Sequence, residues 1–353
     1  MKKSDFAKKK CSLHFINFYK IIKEDDISCK TLLSSFIIDH TEGFLMMQQE
    51  HFYSLNKFLK QRHGTKVIKL SIDGGFTCPN RDGSISSKGC LFCSEKGSGD
   101  FIPSPTGTIT SQLNASIDLL SKKWPNITNY IAYFQSYSNT YASLDVLKAK
   151  YEEALSFPSV VGLAIATRAD CLDDKIIDYL EELSHKTHLW IELGLQSSNA
   201  KTAKWMNRGY SSLFFEKILY KLSQKNIEIV VHLILGFPNE KLVDMLNSAK
   251  YISNLPLQGI KLHMLHVLDN APLGQIYVKE PFDLLSKEEY IFTVGEILKL
   301  LPPHFVIHRL TGDGDAKHLL APLWTKNKKQ LLNDLNHYLK INDIYQGKSL
   351  KIY

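Results

Sequence analysis

The chain of 353 residues contains no apolar run approaching the ~18 residues that span a bilayer, which excludes a transmembrane helix. Its lysine-rich start is not followed by a clean apolar stretch: His14, Asn17 and Lys20 interrupt any signal-peptide core, so the expected location is the cytoplasm. A strong excess of one sign of charge is lacking. Lys and Arg number 43 against 36 Asp and Glu, a net charge of +7 with a pI near 8.8. That balance is compatible with nucleic-acid contact without requiring it. No short repeat or low-complexity tract is visible, and 44% hydrophobic content is ample for a large core. Cysteine is sparse, six in all. With no sign of an oxidising compartment, a disulfide framework is not expected.

What cysteine there is lies close together. Cys78, Cys90 and Cys93 fall within sixteen residues, near enough for their thiolates to converge on one inorganic centre. A cubane [4Fe–4S] cluster held entirely by protein takes four cysteines. Three would leave one iron open to an exogenous ligand, as chelation by the amine and carboxylate of S-adenosylmethionine (SAM) requires. An electron from the cluster would then cleave the sulfonium, and the 5′-deoxyadenosyl radical would abstract hydrogen from a substrate. A structural zinc knuckle is the competing reading. Zinc usually wants a fourth Cys or His; none lies in the loop, and the nearest outside it is His63. Cys11 and Cys29 are not expected to be ligands.

The stretch 67–72 has strand character and runs straight into Asp73-Gly74-Gly75-Phe76-Thr77, so the cysteines sit on a loop at a strand's C-terminal end. Gly74, Gly75, Gly83 and Gly89 permit tight wrapping, and Phe76, Leu91 and Phe92 can shield a cluster from water. A helix-like lead over 48–59 precedes that strand. Beyond the loop, strands are expected at 130–135, 160–166, 189–195, 227–235 and 259–264. Helices are expected to open at 110 and to span 143–156, 173–183, 211–224 and 240–254. Apolar strands alternating with amphipathic helices indicate an α/β fold with a parallel sheet. Six units suggest a partial (βα)6 barrel, with a complete eight-unit barrel as runner-up. The expected organisation is an extension over 1–45, poorly ordered or preceding a true start at Met46 or Met47. A core with its lead-in helix follows over 46–301. A small C-terminal extension over 302–353 covers the barrel, with a strand at 304–310 and a basic tail holding Trp324. In 301–353, eight Lys and Arg face four Asp. Gly312-Asp313-Gly314-Asp315 reads as a turn.

Other candidates sit at strand ends. Gln135 and Tyr137 follow the second strand. Arg168 ends the third and can pair with a carboxylate, whether SAM's or that of Asp170. Cys171 is a candidate catalytic hydrogen donor, against inert packing. Glu192, within an apolar strand, needs a partner or a task, and Gln196 lies just past it. His232, His263 and His266 are weaker candidates near one mouth.

The spacing Cys78-(eleven residues)-Cys90-(two)-Cys93 is similar to that of Elp3-like radical SAM proteins. Gly74-Gly75-Phe76-Thr77-Cys78-Pro79-Asn80-Arg81-Asp82-Gly83 resembles the bacterial YhcC/YtqA-type family. So do Glu192-Leu193-Gly194-Leu195-Gln196, Asn207-Arg208-Gly209 and Gly259-Ile260-Lys261-Leu262-His263. The resemblance implies a radical SAM partial barrel with a [4Fe–4S] cluster, SAM, and an external electron donor of flavodoxin or ferredoxin type. By position it implies SAM contacts from Gln196 and Arg208, with Gly236 on the adenine side. Ala166 stands where a SAM-binding glutamate is expected and His232 where an aspartate is expected. Gln135-Ser136-Tyr137 replaces the Gly-Gly-Glu signature. The resemblance further implies tRNA wobble-uridine modification, converting a carboxymethylaminomethyl group to aminomethyl. A radical SAM enzyme of a small metabolite, and a non-catalytic iron–sulfur or zinc protein, stay open as alternatives.

Overall fold

The computed structural model describes residues 50–103, 106–225 and 227–350. The expectations for residues 1–45, Cys11 and Cys29 among them, and for a start at Met46 or Met47 lie outside the described residues. Seven parallel strands form a half-barrel in the order β1 (Val67–Ile72), β2 (Asn129–Phe134), β3 (Val160–Thr167), β4 (His188–Gln196), β5 (Glu228–Leu235), β6 (Gly259–Met264) and β8 (Val306–Arg309). A separate antiparallel ribbon pairs β7 (Val267–Leu268) with β9 (Leu319–Ala321). The helices are α1 (Leu55–His63), α2 (Ile109–Ser121), α3 (Leu144–Ser156), α4 (Asp174–Ser184), α5 (Ala200–Trp205) and α6 (Ser212–Ser223). They continue with α7 (Leu242–Ser253), α8 (Pro272–Lys279), α9 (Lys287–Leu300) and α10 (Lys328–Ile341). No helix among the described residues is long and apolar enough to cross a membrane.

Two differences from the sequence reading concern how the two ends of the described chain join the barrel. The lead-in helix begins at Leu55, where the Ser54 hydroxyl caps it by accepting the Lys57 N–H at 3.3 Å. The residues just before it are instead tied to the far end of the chain: Tyr53 N–H donates to Gln346 Oε1 at 2.9 Å, and Gln346 N–H to the His51 carbonyl at 2.9 Å. The strand expected in the C-terminal extension joins the main sheet as its seventh member, pairing Gly259 with Val306 and Ile260 with Ile307. It covers the edge that β6 would otherwise leave unpaired. Leu331, Leu335 and Leu339 of α10 enter the same core as Leu298 and Leu301, so the tail is built into the barrel.

Strand periodicity decides what the concave face looks like. Leu70, Ile72, Phe134, Ile165, Leu193, Leu233 and Leu262 belong to the core shared with the helices. Alternate residues of the same strands form the other face. Its floor is apolar, with Val67, Ile131, Ala164, Trp190 and Val230 packed against Leu59 of α1. Toward the strands' C-terminal ends it turns polar, through Lys69, Tyr133, Gln135, Glu192, His232, Lys261 and His263.

Candidate active site

β1 ends beside a clamp. Gln112 of α2 accepts the Asp73 N–H at 2.7 Å and donates to the Asp73 carbonyl at 2.9 Å. From this anchor the chain turns at Gly75 (φ +70°), a left-handed conformation that favours glycine, and delivers Cys78. The Cys78 carbonyl accepts the N–H groups of Arg81 (2.8 Å) and Asp82 (3.1 Å). Asn80 is fully buried, and its amide donates to Cys90 Sγ at 3.3 Å and to the Asn207 carbonyl at 2.6 Å. Asn207 reciprocates, donating to the Gly89 carbonyl at 2.7 Å and Ser86 Oγ at 3.2 Å. This pair stitches the cysteine loop to the segment after α5. Cys93 N–H bonds the Cys90 carbonyl at 3.1 Å, which closes the two-residue spacing into a turn. Arg81 donates to the carbonyls of Cys93 and Ser94.

Burial pushes the Cys90 thiol up to about 11 and raises that of Cys93. Two arginines oppose this: Arg168, 3.7 Å from Cys90 Sγ, and Arg81 beside Cys93. Both favour the thiolate, the form that ligates metal. All three cysteines line one outer compartment of about 170 Å³. His63, the nearest candidate for a fourth zinc ligand, bonds His188 at 3.1 Å at the start of β4, the opposite end of the strands from the cysteines.

Facing the cysteines in the outer compartment are Gln135, Tyr137, Arg168, Glu192, Gln196 and Arg208. Gln135 donates to the Ser98 carbonyl at 2.7 Å. Tyr137, at φ +57°, binds the Glu95 carbonyl through its hydroxyl and the Gly97 carbonyl through its N–H. These two residues hold the segment that follows Cys93. Arg168 forms a bidentate pair with Asp170 (2.8 and 2.6 Å) and also donates to the Arg208 carbonyl at 2.7 Å. Arg208 is 2% exposed, its guanidinium spent on the carbonyls of Leu195 (2.6 Å), Ser197 (2.8 Å) and Tyr210 (3.0 Å) and on Ser212 Oγ (3.2 Å). It braces the turn after β4. Gln196, at φ +61°, keeps a buried Oε1 without a partner. Gly236 (φ +91°) packs against Leu285 and lines neither this compartment nor the inner one described next. Cys171 also lines neither. Its buried thiol lies 3.9 Å from Asp170 and is pushed up to about 12 by burial.

A second compartment of about 520 Å³, here called the inner one, shares Phe92, Ser98, Tyr133, Gln135, Gln196, His232, Lys261, His263 and Arg309 with the first. Glu192 is the hub between them. It accepts from Lys261, from Trp190 Nε1 at 3.0 Å and from His232 Nε2 at 3.0 Å, with Lys69 at 3.5 Å. Burial raises its pKa, but the Lys261 ammonium, followed by Lys69 and His232, outweighs this and holds the carboxyl well below its usual range. Burial and Lys261 push His232 down to about 4, so its neutral ring donates to the carboxylate. The partner that Glu192 required is therefore present. Sequence reasoning passed over Asn80, Arg81, Lys69, Lys261 and Arg309 as site residues, and read Lys328 only as part of a basic tail that could contact RNA, where it lines the second compartment. Asn80 and Arg81 carried a signal in their place inside the cysteine loop, and Lys69 and Lys261 as charges within apolar strands.

The fold and site define a class: residues 78–252 match the Radical SAM superfamily, and residues 257–340 the radical SAM C-terminal domain. The chain belongs to the radical SAM superfamily of enzymes, in the family of the Bacillus subtilis protein YtqA and the Escherichia coli protein YhcC. It is 40% identical to YtqA over 85% of this chain and 93% of that protein, and 33% identical to YhcC over 83% and 93%. It is also similar to a tRNA-2-methylthio-N(6)-dimethylallyladenosine synthase from Trichlorobacter lovleyi, 28% identical over 40% of this chain and 32% of that one. An Elp3 structure from the archaeon Methanocaldococcus infernus shares the fold, with a TM-score of 0.59 at 16% identity. The match covers 79% of this chain and 64% of that one.

Membership implies a [4Fe–4S] cluster and SAM, and the residues present fit both. Three thiols share one wall, with N–H donors from Asn80 and Arg168 aimed at Cys90 Sγ. Among the described residues no three His, Cys, Asp or Glu side chains converge as a lone metal ion requires. A cubane holds its irons at separate corners, so each cysteine need only reach its own. On the wall of the outer compartment the buried Oε1 of Gln196 lacks a partner, which suits a polar ligand there.

Proposed function

We propose that Cys78, Cys90 and Cys93 hold the cluster, that Gln196 and the strand ends after β2 and β3 hold SAM in the outer compartment, and that the substrate is a tRNA wobble uridine. The observation that carries the cofactor reading is the placement of all three thiols on the wall that Gln135, Arg168 and Gln196 face. When bound, the cluster and SAM together supply one-electron, hydrogen-abstracting chemistry, with the electron coming from an external reductant. The chain's own residues do three things. Asn80 and Asn207 fix the loop, Arg81 and Arg168 neutralise thiolate charge, and Phe92 on the cavity wall limits water. The tRNA reading is supported by the tRNA-modifying relative's similarity and by the basic C-terminal segment, where Lys326, Lys329 and Lys340 are exposed. Trp324 does not add a stacking platform: its ring packs 5.6 Å from Tyr290 and its Nε1 donates to the Leu285 carbonyl at 3.0 Å.

The test is anaerobic reconstitution with iron, sulfide, SAM and dithionite, with total tRNA from a deletion strain. The expected outcome is about four irons per chain, release of 5′-deoxyadenosine, and a changed wobble nucleoside. Alanine at Cys78, Cys90 or Cys93 should each abolish SAM cleavage. Stoichiometric zinc without iron-dependent absorbance would overturn the cofactor reading. Unchanged tRNA nucleosides, with SAM cleavage stimulated by a small-molecule extract, would move the substrate to a metabolite.

A further inference from the structure

The inner compartment carries more positive charge than its own carboxylates balance. Lys69, Lys261, Arg309 and Lys328 line it, against Asp100 and Asp313. Counting Glu192, which binds two of those lysines, the surplus is one positive charge. Asp313 is already shared by Arg309 and Lys328, and Asp100 accepts the Ser94 hydroxyl through both oxygens. Lys261 is spent on Glu192 and the Tyr133 hydroxyl. Lys69 is held more loosely: among the described residues its hydrogen-bond and ion-pair partner is Glu192, at 3.5 Å, and its ammonium lies over the Tyr133 ring at 4.4 Å.

Three imidazoles on the same wall are also incomplete. His263 Nε2, His266 Nε2 and His308 Nδ1 are buried and have no hydrogen-bond partner. A register shift between β6 and β8 explains how two consecutive residues, His308 and Arg309, both reach the cavity. Burial and the nearby Arg309 also depress the Lys328 ammonium, to about 8. A cavity with unbalanced cations is complementary to a bound anion, and each neutral imidazole can add an N–H to it in the tautomer that protonates the unpaired nitrogen.

We infer that the inner compartment is an oxyanion site, taking a carboxylate or phosphate group of the substrate on Lys69, Arg309 and His263 beside the SAM site. This rests on the radical SAM reading of the outer compartment and is independent of tRNA as the substrate.

The experiment titrates acetate and, separately, inorganic phosphate into anaerobically reconstituted protein saturated with SAM, at constant ionic strength in chloride. Binding is read by calorimetry and by the rise in melting temperature. At least one anion should bind, and the better one identifies the group as carboxylate or phosphate. Lys69→Gln should weaken that anion about tenfold, the loss of one charge-assisted hydrogen bond, with iron content and SAM affinity unchanged; Lys69→Arg should restore most of it. His263→Phe, which removes the unpaired nitrogen and leaves the Glu192 pairs alone, gives a second reading if the Lys69 variant is unstable, and should also weaken the anion. No saturable binding of either anion would overturn the site. So would displacement of the anion by SAM, or equal affinity in the parent, Lys69→Gln and His263→Phe. Failure of the tRNA assay with anion binding intact would leave this site standing and remove only that substrate.

Discussion

Glu192 sits in the middle of β4, fully buried, and its four partners come from β1, β4, β5 and β6. Its carboxyl has a folded pKa below the unfolded value near 4.3. Such a group lends stability that is fully present above the unfolded pKa and lost as pH falls toward the folded one. Glu192→Gln should therefore flatten the acid limb of a stability–pH curve below about pH 4. At pH 7 it should cost about 3–5 kcal/mol, because Lys261 is left buried without its counter-charge. Denaturant titration from pH 3 to 8 measures both; an acid limb as steep as the parent's would show that Glu192 is not the group titrating. Gln196 and Arg208 separate at the same scale. Gln196 has a free buried oxygen, so Gln196→Ala should weaken SAM about tenfold with iron and melting temperature preserved. Arg208 spends its donors on the backbone, so Arg208→Ala should lower melting temperature and iron content together. A Gln196→Ala protein with unaltered SAM affinity would take that side chain out of the cofactor site.

At the scale of the element, the contact between Gly97 and Tyr137 is the tightest hold on the loop after Cys93. Gly97 has φ +56°, and a Cβ there would lie 2.3 Å from the Tyr137 ring, whose N–H bonds the Gly97 carbonyl. Gly97→Ala must strain the left-handed backbone, by roughly 1–2 kcal/mol, and displace Tyr137 as well. The expected outcome is poor retention of iron after reconstitution, with far-UV circular dichroism unchanged, because the strands themselves are untouched. Full iron loading in this variant would show that the Tyr137 contact does not position the loop. The strands explain their own robustness. The helix-facing core of the strands is apolar, and the polar groups of the site enter on the concave face toward the C-terminal ends, while His188 and Glu228 pair at the opposite end of the sheet.

For the molecule as a whole, the C-terminal segment is part of the barrel. Phe305, Ile307, Leu331, Leu335 and Leu339 are each no more than 2% exposed, and β8 closes the β6 edge. Each contributes about 1.5–3 kcal/mol of burial, against a total stability of about 5–15 kcal/mol for a domain. A chain ending at residue 301 should consequently give no cooperative thermal transition. A soluble 46–301 fragment with a sharp transition would make the tail a dispensable cover. Alanine at Lys326, Lys329 and Lys340 together should weaken tRNA binding and reduce its salt dependence by up to about 0.7–0.9 log units per lost phosphate contact. SAM cleavage without RNA should survive. Lys328 is left out because it lines the inner compartment.

The sequence by itself determined the strands, most of the helices and the cysteine loop. Those signals are local: apolar periodicity acts within one element, and Cys78, Cys90 and Cys93 are near one another in the chain. It also showed that Glu192 needed a partner, because a lone carboxylate in an apolar strand is costly wherever it lies. Only the tertiary structure decided which partner. Lys69, Glu192 and Lys261 are separated by 123 and 69 positions and meet because β1, β4 and β6 curve around one cavity. The same holds for Arg168 and Arg208. Whether an arginine is free for a ligand depends on which carbonyls surround it, and folding spent most of Arg208 on Leu195, Ser197 and Tyr210. The seventh strand joined the sheet for a related reason: its short run carries too little periodicity to announce a pairing, and the exposed edge of β6 supplied one.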